Sequence, residues 1–225
     1  MRDDIDWVKA NNIVGEGLYS GLSKVLVDTS HRQLAQFGNI KTCESPVILE
    51  IGAGRGEHLK FVKADYSKYV MTDISEWGKA EIEEIIKLDH RISFELANIE
   101  KLSFPDNTFD RLICTCVLIH VDEPFLALEE LKRVTKPGGV ISFYIAADPG
   151  ALLRLMRQIF TKPKMKKLDV PYSLLNSLSH RNSAGGLVEI SKYVFRNSKV
   201  KITYFPFHIK SWNLSTHIIV NVIKS

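Results

Sequence analysis

The chain has 225 residues, is 45% hydrophobic and carries a formal net charge of +4. Length and composition predict one α/β domain with embellishments and a sizeable core. They argue against a dedicated nucleic-acid binder, because the basic excess is mild, and against a membrane span, because no apolar run reaches bilayer length. The polar start "MRDDIDWVKANN" does not read as a signal peptide, so a soluble cytoplasmic protein is expected. Cys43, Cys114 and Cys116 make no disulfide framework. With no second Cys/His pair at ligand spacing, no metal site is expected. Cys114 and Cys116 alternate in an apolar run, so they read as small buried hydrophobes on one strand face.

In chain order, residues 1–45 predict a helical cover with Trp7, Val8, Ile13, Val14, Leu18 and Leu22 as apolar anchors. "VILEI" is a short buried strand that runs into "GAGRGEH", with glycines at 52, 54 and 56. "EHLKFVKAD" suits a helix, "YVMTDI" (Tyr69 to Ile74) a second strand, and "SEWGKAEIEEIIKL" a helix with Ser75 as N-cap. "RISFELAN" and "FDRLICTCVLI" read as the third and fourth strands, "EPFLALEELKRV" as a helix with Pro124 early, and "KPGGVISFYIA" as a turn and a fifth strand. The alternation predicts right-handed βαβ crossovers and a parallel sheet over residues 46–147. Residues 149–197 read as a helical insert, with Leu152, Leu155, Met156, Ile159 and Phe160 on one face. Between Arg154 and Lys167 this insert carries six cations and no acid. Residues 199–225 hold two strands joined by a short loop, which favours an antiparallel pair closing one edge.

Ligands of open parallel sheets bind beyond the carboxyl ends of the strands. Glycine there permits positive φ and close approach of a ligand to the backbone. Asp73 ends the second strand, 21 residues after Gly52, the usual place for an acid that binds ribose hydroxyls. The spacing is G-x-G-x-G. The dinucleotide fingerprint needs its third glycine where this chain has Glu57, and a P-loop ending is missing. Glu50 would repel phosphate and could attract an ammonium group or orient backbone amides. The pattern therefore favours a nucleoside with an uncharged or zwitterionic appendage.

"ILEIGAGRGEH", "MTDIS", "ANIEKLSFPDNTFDRLICTCVLIHV" and "LEELKRVTKPGGVISFYI", in that order, resemble class I S-adenosylmethionine-dependent methyltransferases, in particular the small-molecule branch of methyltransferase type 11. The resemblance covers about Val47 to Ala146 and the final strand pair. It implies one methyltransferase domain over residues 1–225: α/β, Rossmann-like, with a seven-stranded, mostly parallel sheet, helices on both faces and an antiparallel C-terminal strand pair. Its cofactor would be S-adenosyl-L-methionine. Gly52, Ala53 and Gly54 would lie under the methionine part, near Glu50. Asp73 would bind the ribose, and Ile74 would pack on the adenine. Asn98 and Ile99 would meet the adenine edge, with an amide oxygen where the family usually has Asp. Thr115 and Cys116 would turn their backbone toward the sulfonium. Arg32 is a candidate for the cofactor carboxylate, or a solvated helix residue. Arg55 stands where the family has a small residue and should point away or reach a carboxylate.

Two readings of His120 stand: a general base facing the acceptor, or a structural histidine capping the helix that begins near Asp122. His180, Arg181 and Asn182, together with Arg154 and Arg157, could meet a polar acceptor. The expected reaction is in-line methyl transfer to a small polar metabolite or glycan-type precursor, with O-methylation favoured over N-methylation. RNA methylation and a non-catalytic cofactor-binding regulator are the alternatives. A small-molecule substrate is the expected partner; nucleic acid is not. The run "RQIFTKPKMKK" is also readable as a membrane-surface patch. The sequence carries no signal of oligomeric state.

Overall fold

A computed structural model describes residues 21–37, 44–167 and 171–225. The anchors expected at Trp7, Val8, Ile13, Val14 and Leu18, and Cys43, lie outside the described residues. Seven strands form one sheet: β1 (Val47–Ile51), β2 (Lys68–Asp73), β3 (Ile92–Leu96), β4 (Phe109–Cys114), β5 (Thr135–Ala146), β6 (Lys199–Pro206) and β7 (Ser215–Ile223). Their order is β3-β2-β1-β4-β5-β7-β6. β1 to β5 pair in parallel, and β7 lies antiparallel between β5 and β6. The mostly parallel Rossmann-like sheet and the antiparallel closing pair are as expected.

The strand order reverses at β1 and β4, so their carboxyl ends open the crevice where such sheets bind ligands. The helices are α1 (Gly21–Phe37), α2 (Lys79–Leu88), α3 (Pro124–Val134), α4 (Ala151–Met156), α5 (Lys162–Lys167), α6 (Tyr172–Ser179) and α7 (Ala184–Val194). On one face of the sheet, Leu49, Leu112, Ile141 and Phe143 pack with Leu128 and Leu131 of α3 and Leu187 and Val188 of α7. On the other, Ile48, Tyr69, Met71 and Ile113 pack with Leu34 of α1 and Ile82 of α2.

Four local expectations change. The helix expected over "EHLKFVKAD" shrinks to a single 3-10 turn, Leu59–Phe61, and Val62 leaves it extended. Tertiary contacts override helix propensity here: His58 Nδ1 and His31 Nδ1 of α1 lie 2.9 Å apart, and the His31 ring stacks on Phe61. Ser75 does not cap α2. Its amide and hydroxyl both donate to Asp73 Oδ1, and the helix starts after Gly78. A Cβ on Gly78 would lie 1.9 Å from the carbonyl oxygen of Gly54, so glycine alone lets the helix start touch the glycine turn.

β4 stops at Cys114 instead of running to Ile119. Cys116 has φ +54° and is exposed, so the two cysteines share no strand face, and only Cys114 is a buried hydrophobe. Finally, the apolar face of the insert is only partly covered: Leu155 and Ile159 are each 54% exposed.

Candidate active site

The glycine turn is closed on itself. The amides of Gly52 and Ala53 both donate to the Thr72 carbonyl, and that of Gly54 donates to Asp73 Oδ2 at 3.1 Å. Thr115 Oγ1 donates to the Gly52 carbonyl at 2.5 Å, tying the end of β4 to the turn. Gly52 has φ +74°, and a Cβ there would meet Val117 Cγ2 at 2.3 Å and the Thr115 carbonyl oxygen at 2.8 Å. The turn thus presents bare main chain at the crevice.

A cavity of about 170 Å³ opens beside it, lined among others by Gly52, Asp73, Ile74, Asn98, Ile99 and His120. Five residues that the sequence set apart for the cofactor therefore meet in one place. Ile74 is 75% exposed, an apolar side chain at the rim. Asn98 Oδ1 accepts the Glu100 amide, which leaves its NH₂ group and the oxygen's second lone pair for other partners.

Glu50 lies elsewhere. It is fully buried, and its Oε2 accepts from the Tyr69 hydroxyl at 2.7 Å on the α1/α2 side of the sheet. Burial pushes its carboxyl up to about 8, so it is mostly neutral at pH 7. It lines neither this cavity nor the larger one below, which argues against the contact with an ammonium group. Ala53 is buried, and Gly54 faces Glu57 and Trp77. Arg55 reaches the Glu81 carboxylate at 3.2 Å, one of its two expected fates. Arg32 is exposed, with its guanidinium 5.7 Å from the Phe61 ring.

A second cavity, of about 400 Å³, adjoins the first. Its walls include Val27, Leu153, Met156, Phe160 and Leu175, and its polar groups include His120, Arg157, Asn176 and His180. His120 lines both cavities.

The His120 Nδ1 atom is 2.9 Å from the Ser179 carbonyl oxygen, which can only accept. Nδ1 therefore carries the hydrogen, and Nε2 keeps its lone pair. Burial lowers the pKa of the ring, so the neutral form dominates at pH 7. The ring makes no hydrogen bond to α3; the amides of Asp122 and Glu123, just ahead of the helix, donate to Glu100 Oε1 at 2.7 Å each. This removes the capping reading.

Beside it, at a ring-centroid distance of 5.0 Å and nearly perpendicular, stands His180. His180 Nδ1 donates to Asp148 Oδ2. The same oxygen accepts from Arg157 at 2.6 Å and Asn176 at 3.3 Å. Burial pushes the Asp148 carboxyl up, but the hydrogen bonds from His180 and Arg157 outweigh it and hold the group well below the usual carboxylate range. Asp148 thus organises the polar end of the cavity.

The sequence reading missed Asp148. Its signal was present, an acid directly beyond the fifth strand in "AADPG". Of the other acceptor candidates, Arg154 is exposed and outside the lining, and Arg157 takes the inward place. Arg181 pairs with Asp122, and Asn182 Nδ2 clamps the carbonyls of Leu118 and Val121. Cys116 is open to solvent at the turn after β4 and lines neither cavity. Among the described residues no cluster of side chains is suited to a metal ion.

Residues 49–143 match the family described as a methyltransferase domain, Methyltransf_11. An uncharacterized methyltransferase of Schizosaccharomyces pombe is 38% identical over 109 residues, 42% of this chain and 37% of that protein. The demethylmenaquinone methyltransferase of Clavibacter sepedonicus is 32% identical over 126 residues, 54% of this chain and 51% of that one. The chain thus spans about half or less of the length of these relatives. The solved structure of the CurJ carbon methyltransferase superposes with a TM-score of 0.68 at 16% identity, covering 100% of this chain and 62% of that one, a likeness of fold. By the family match, the relatives and the strand order, residues 49–143 are similar to class I methyltransferase domains, whose cofactor is S-adenosylmethionine.

Proposed function

We propose that the chain is an enzyme that transfers a methyl group from S-adenosylmethionine to a hydroxyl on an acceptor with an apolar body and a polar end. The observation that carries this reading is the meeting of two unlike cavities at His120. The smaller one fits a nucleoside. It offers a carboxylate for ribose hydroxyls at Asp73, an exposed apolar cap at Ile74, and amide and apolar edges at Asn98 and Ile99. Gly52 lines the same cavity, and glycine there is required because a Cβ would collide with Val117 and the Thr115 carbonyl. In this reading Thr115 and Cys116 lie toward the sulfonium end. Glu50 shapes the sheet beneath without touching the ligand, and Arg32 stays an outlying candidate for the carboxylate.

The larger cavity favours an amphipathic acceptor over the wholly polar metabolite suggested by sequence, because aliphatic and aromatic side chains dominate its walls. The name of the Clavibacter sepedonicus relative, a demethylmenaquinone methyltransferase, agrees with such an acceptor.

When bound, S-adenosylmethionine supplies an electrophilic methyl group on a sulfonium, which is already a good leaving group. The protein's part is then largely positioning, for which effective molarities correspond to roughly 7–11 kcal/mol. A hydroxyl nucleophile must also lose its proton as the oxygen–carbon bond forms and the carbon–sulfur bond breaks. His120 Nε2 takes that proton. The Ser179 carbonyl holds the tautomer that leaves this nitrogen free. His180, oriented by Asp148, accepts a second hydrogen bond from the acceptor's polar end. Arg157 balances the Asp148 charge, which keeps the cavity wall close to neutral.

Calorimetric titration with S-adenosylhomocysteine tests the cofactor half. Binding is expected, and Asp73→Ala should weaken it by about 10- to 150-fold, the value of one charge-assisted hydrogen bond of roughly 1.5–3 kcal/mol. Unchanged affinity in that variant would remove Asp73 from the ribose. Methyl-labelled cofactor with fractionated cell extract tests the acceptor half. Label entering only wholly polar metabolites would reject the amphipathic class.

A further inference from the structure

One wall of the larger cavity is formed by a segment with an unusual surface. α4, a π-helical turn at Arg157–Thr161 and α5 run on without a break. Leu153, Met156 and Phe160 of this segment face the cavity, and Phe160 is also 39% exposed. Leu155 and Ile159, one helical turn apart, carry the apolar surface outward. Arg154, Lys166 and Lys167 are exposed nearby, and no acid occurs between Arg154 and Lys167. Arg157 is the exception, turned inward to Asp148. One short segment thus combines outward aliphatic side chains, exposed cations and a wall of an apolar cavity.

We infer that this face docks on an anionic lipid surface and that the acceptor enters the cavity from that surface past Phe160. The charge complementarity is specific: cations near a negatively charged leaflet gain from its surface potential, while Leu155 and Ile159 leave water for the acyl boundary. A nucleic acid fits the same cations less well. Single strands gain from aromatic stacking platforms, and the outward side chains here are mainly aliphatic. No helix among the described residues is long and apolar enough to cross a membrane, so the contact would be peripheral. The inference rests on the amphipathic-acceptor reading above for what enters the cavity, but surface binding is measured independently of it.

The test is co-sedimentation of the whole chain with vesicles of phosphatidylcholine alone, or with about one-third phosphatidylglycerol to supply the negative surface. S-adenosylhomocysteine titration of every variant serves as the control for folding. Binding is expected only to the anionic vesicles. Lys166→Gln combined with Lys167→Gln should weaken it by about thirtyfold, from about 1 kcal/mol per cation. Leu155→Ser combined with Ile159→Ser should weaken it at least about tenfold, since each loses its gain from leaving water. In all variants cofactor affinity should be unchanged. Three results would overturn the inference: no binding to anionic vesicles, equal binding by the serine variant, or retention by a short RNA with no retention by vesicles. Loss of S-adenosylhomocysteine binding in the unmodified chain would instead overturn the cofactor reading.

Discussion

The two cavities that meet at His120 are built in opposite ways. The smaller is made mostly of strand ends and main chain: a glycine turn whose amides are already spent on Thr72 and Asp73, and a carboxylate at the end of β2. The larger is made of side chains brought from far apart, with Val27 of α1, Tyr144 of β5, Phe160 of the insert and Thr216 of β7 on its walls. A main-chain site has few ways to vary and is dictated by the fold. A side-chain site can change its occupant by substitution without disturbing the sheet. In the proposed reading, the difference teaches that cofactor recognition lies in a local turn and acceptor recognition in side chains gathered from several elements.

The largest expected effect tests the junction. His120→Ala should lower methyl transfer by about 10²–10⁴-fold, the usual contribution of a positioned base. S-adenosylhomocysteine affinity should stay within about twofold, since the hydrogen bond of the ring goes to the Ser179 carbonyl and not to the glycine turn. The rate of the unmodified chain should fall on the acid side of a pKa below 6.5, because protonation fills the Nε2 lone pair there. A pH–rate profile of the labelled methyl transfer checks both. Equal turnover in the variant would leave the junction without a base.

A somewhat smaller effect is expected on the main-chain side. Gly52→Ala should weaken S-adenosylhomocysteine binding by about a hundredfold, because the new methyl must displace Val117 and strain a residue at φ +74°. Calorimetry reads it. Retained affinity would mean that the ligand does not use the bare backbone.

The smallest effect separates the site from its support. Glu50 ionises near 4.5 in an unfolded chain and near 8 when folded. Between those values the folded state binds the extra proton, so this group's contribution to stability is lost as pH rises. Glu50→Gln keeps a partner for the Tyr69 hydroxyl and removes that slope. Scanning calorimetry should show no gain near pH 4.5 and an unfolding midpoint that rises increasingly above that of the unmodified chain as pH approaches 8. Cofactor affinity should not move. A loss of affinity would restore Glu50 to the binding site.

Much of this was legible in the sequence where the signal is local. The strand–helix alternation, the glycine spacing and an acid 21 residues on are read within one βαβ unit, and the strands came out in the expected order, with β4 shorter than read. His120 stood out by position. Asp148 did not, because its meaning depends on three partners at 157, 176 and 180. Arg154 and Arg157 could not be told apart by type. Only the turn of the helix decides which faces the carboxylate. The apolar stripe of the insert was correctly read as helical but gave no hint that Leu155 and Ile159 would stay uncovered.

By itself, then, the sequence determined the α/β class, the glycine turn and the residues at its rim, because backbone sterics and alternation act over a few residues. The tertiary structure alone decided four things: the shortening of β4 that frees Cys116, the burial of the Glu50 side chain against Tyr69 on one face of the sheet, the tautomer of His120 and the assembly of the larger cavity's wall. Each depends on contacts between segments far apart in the chain, and such contacts leave no periodic trace in the order of residues.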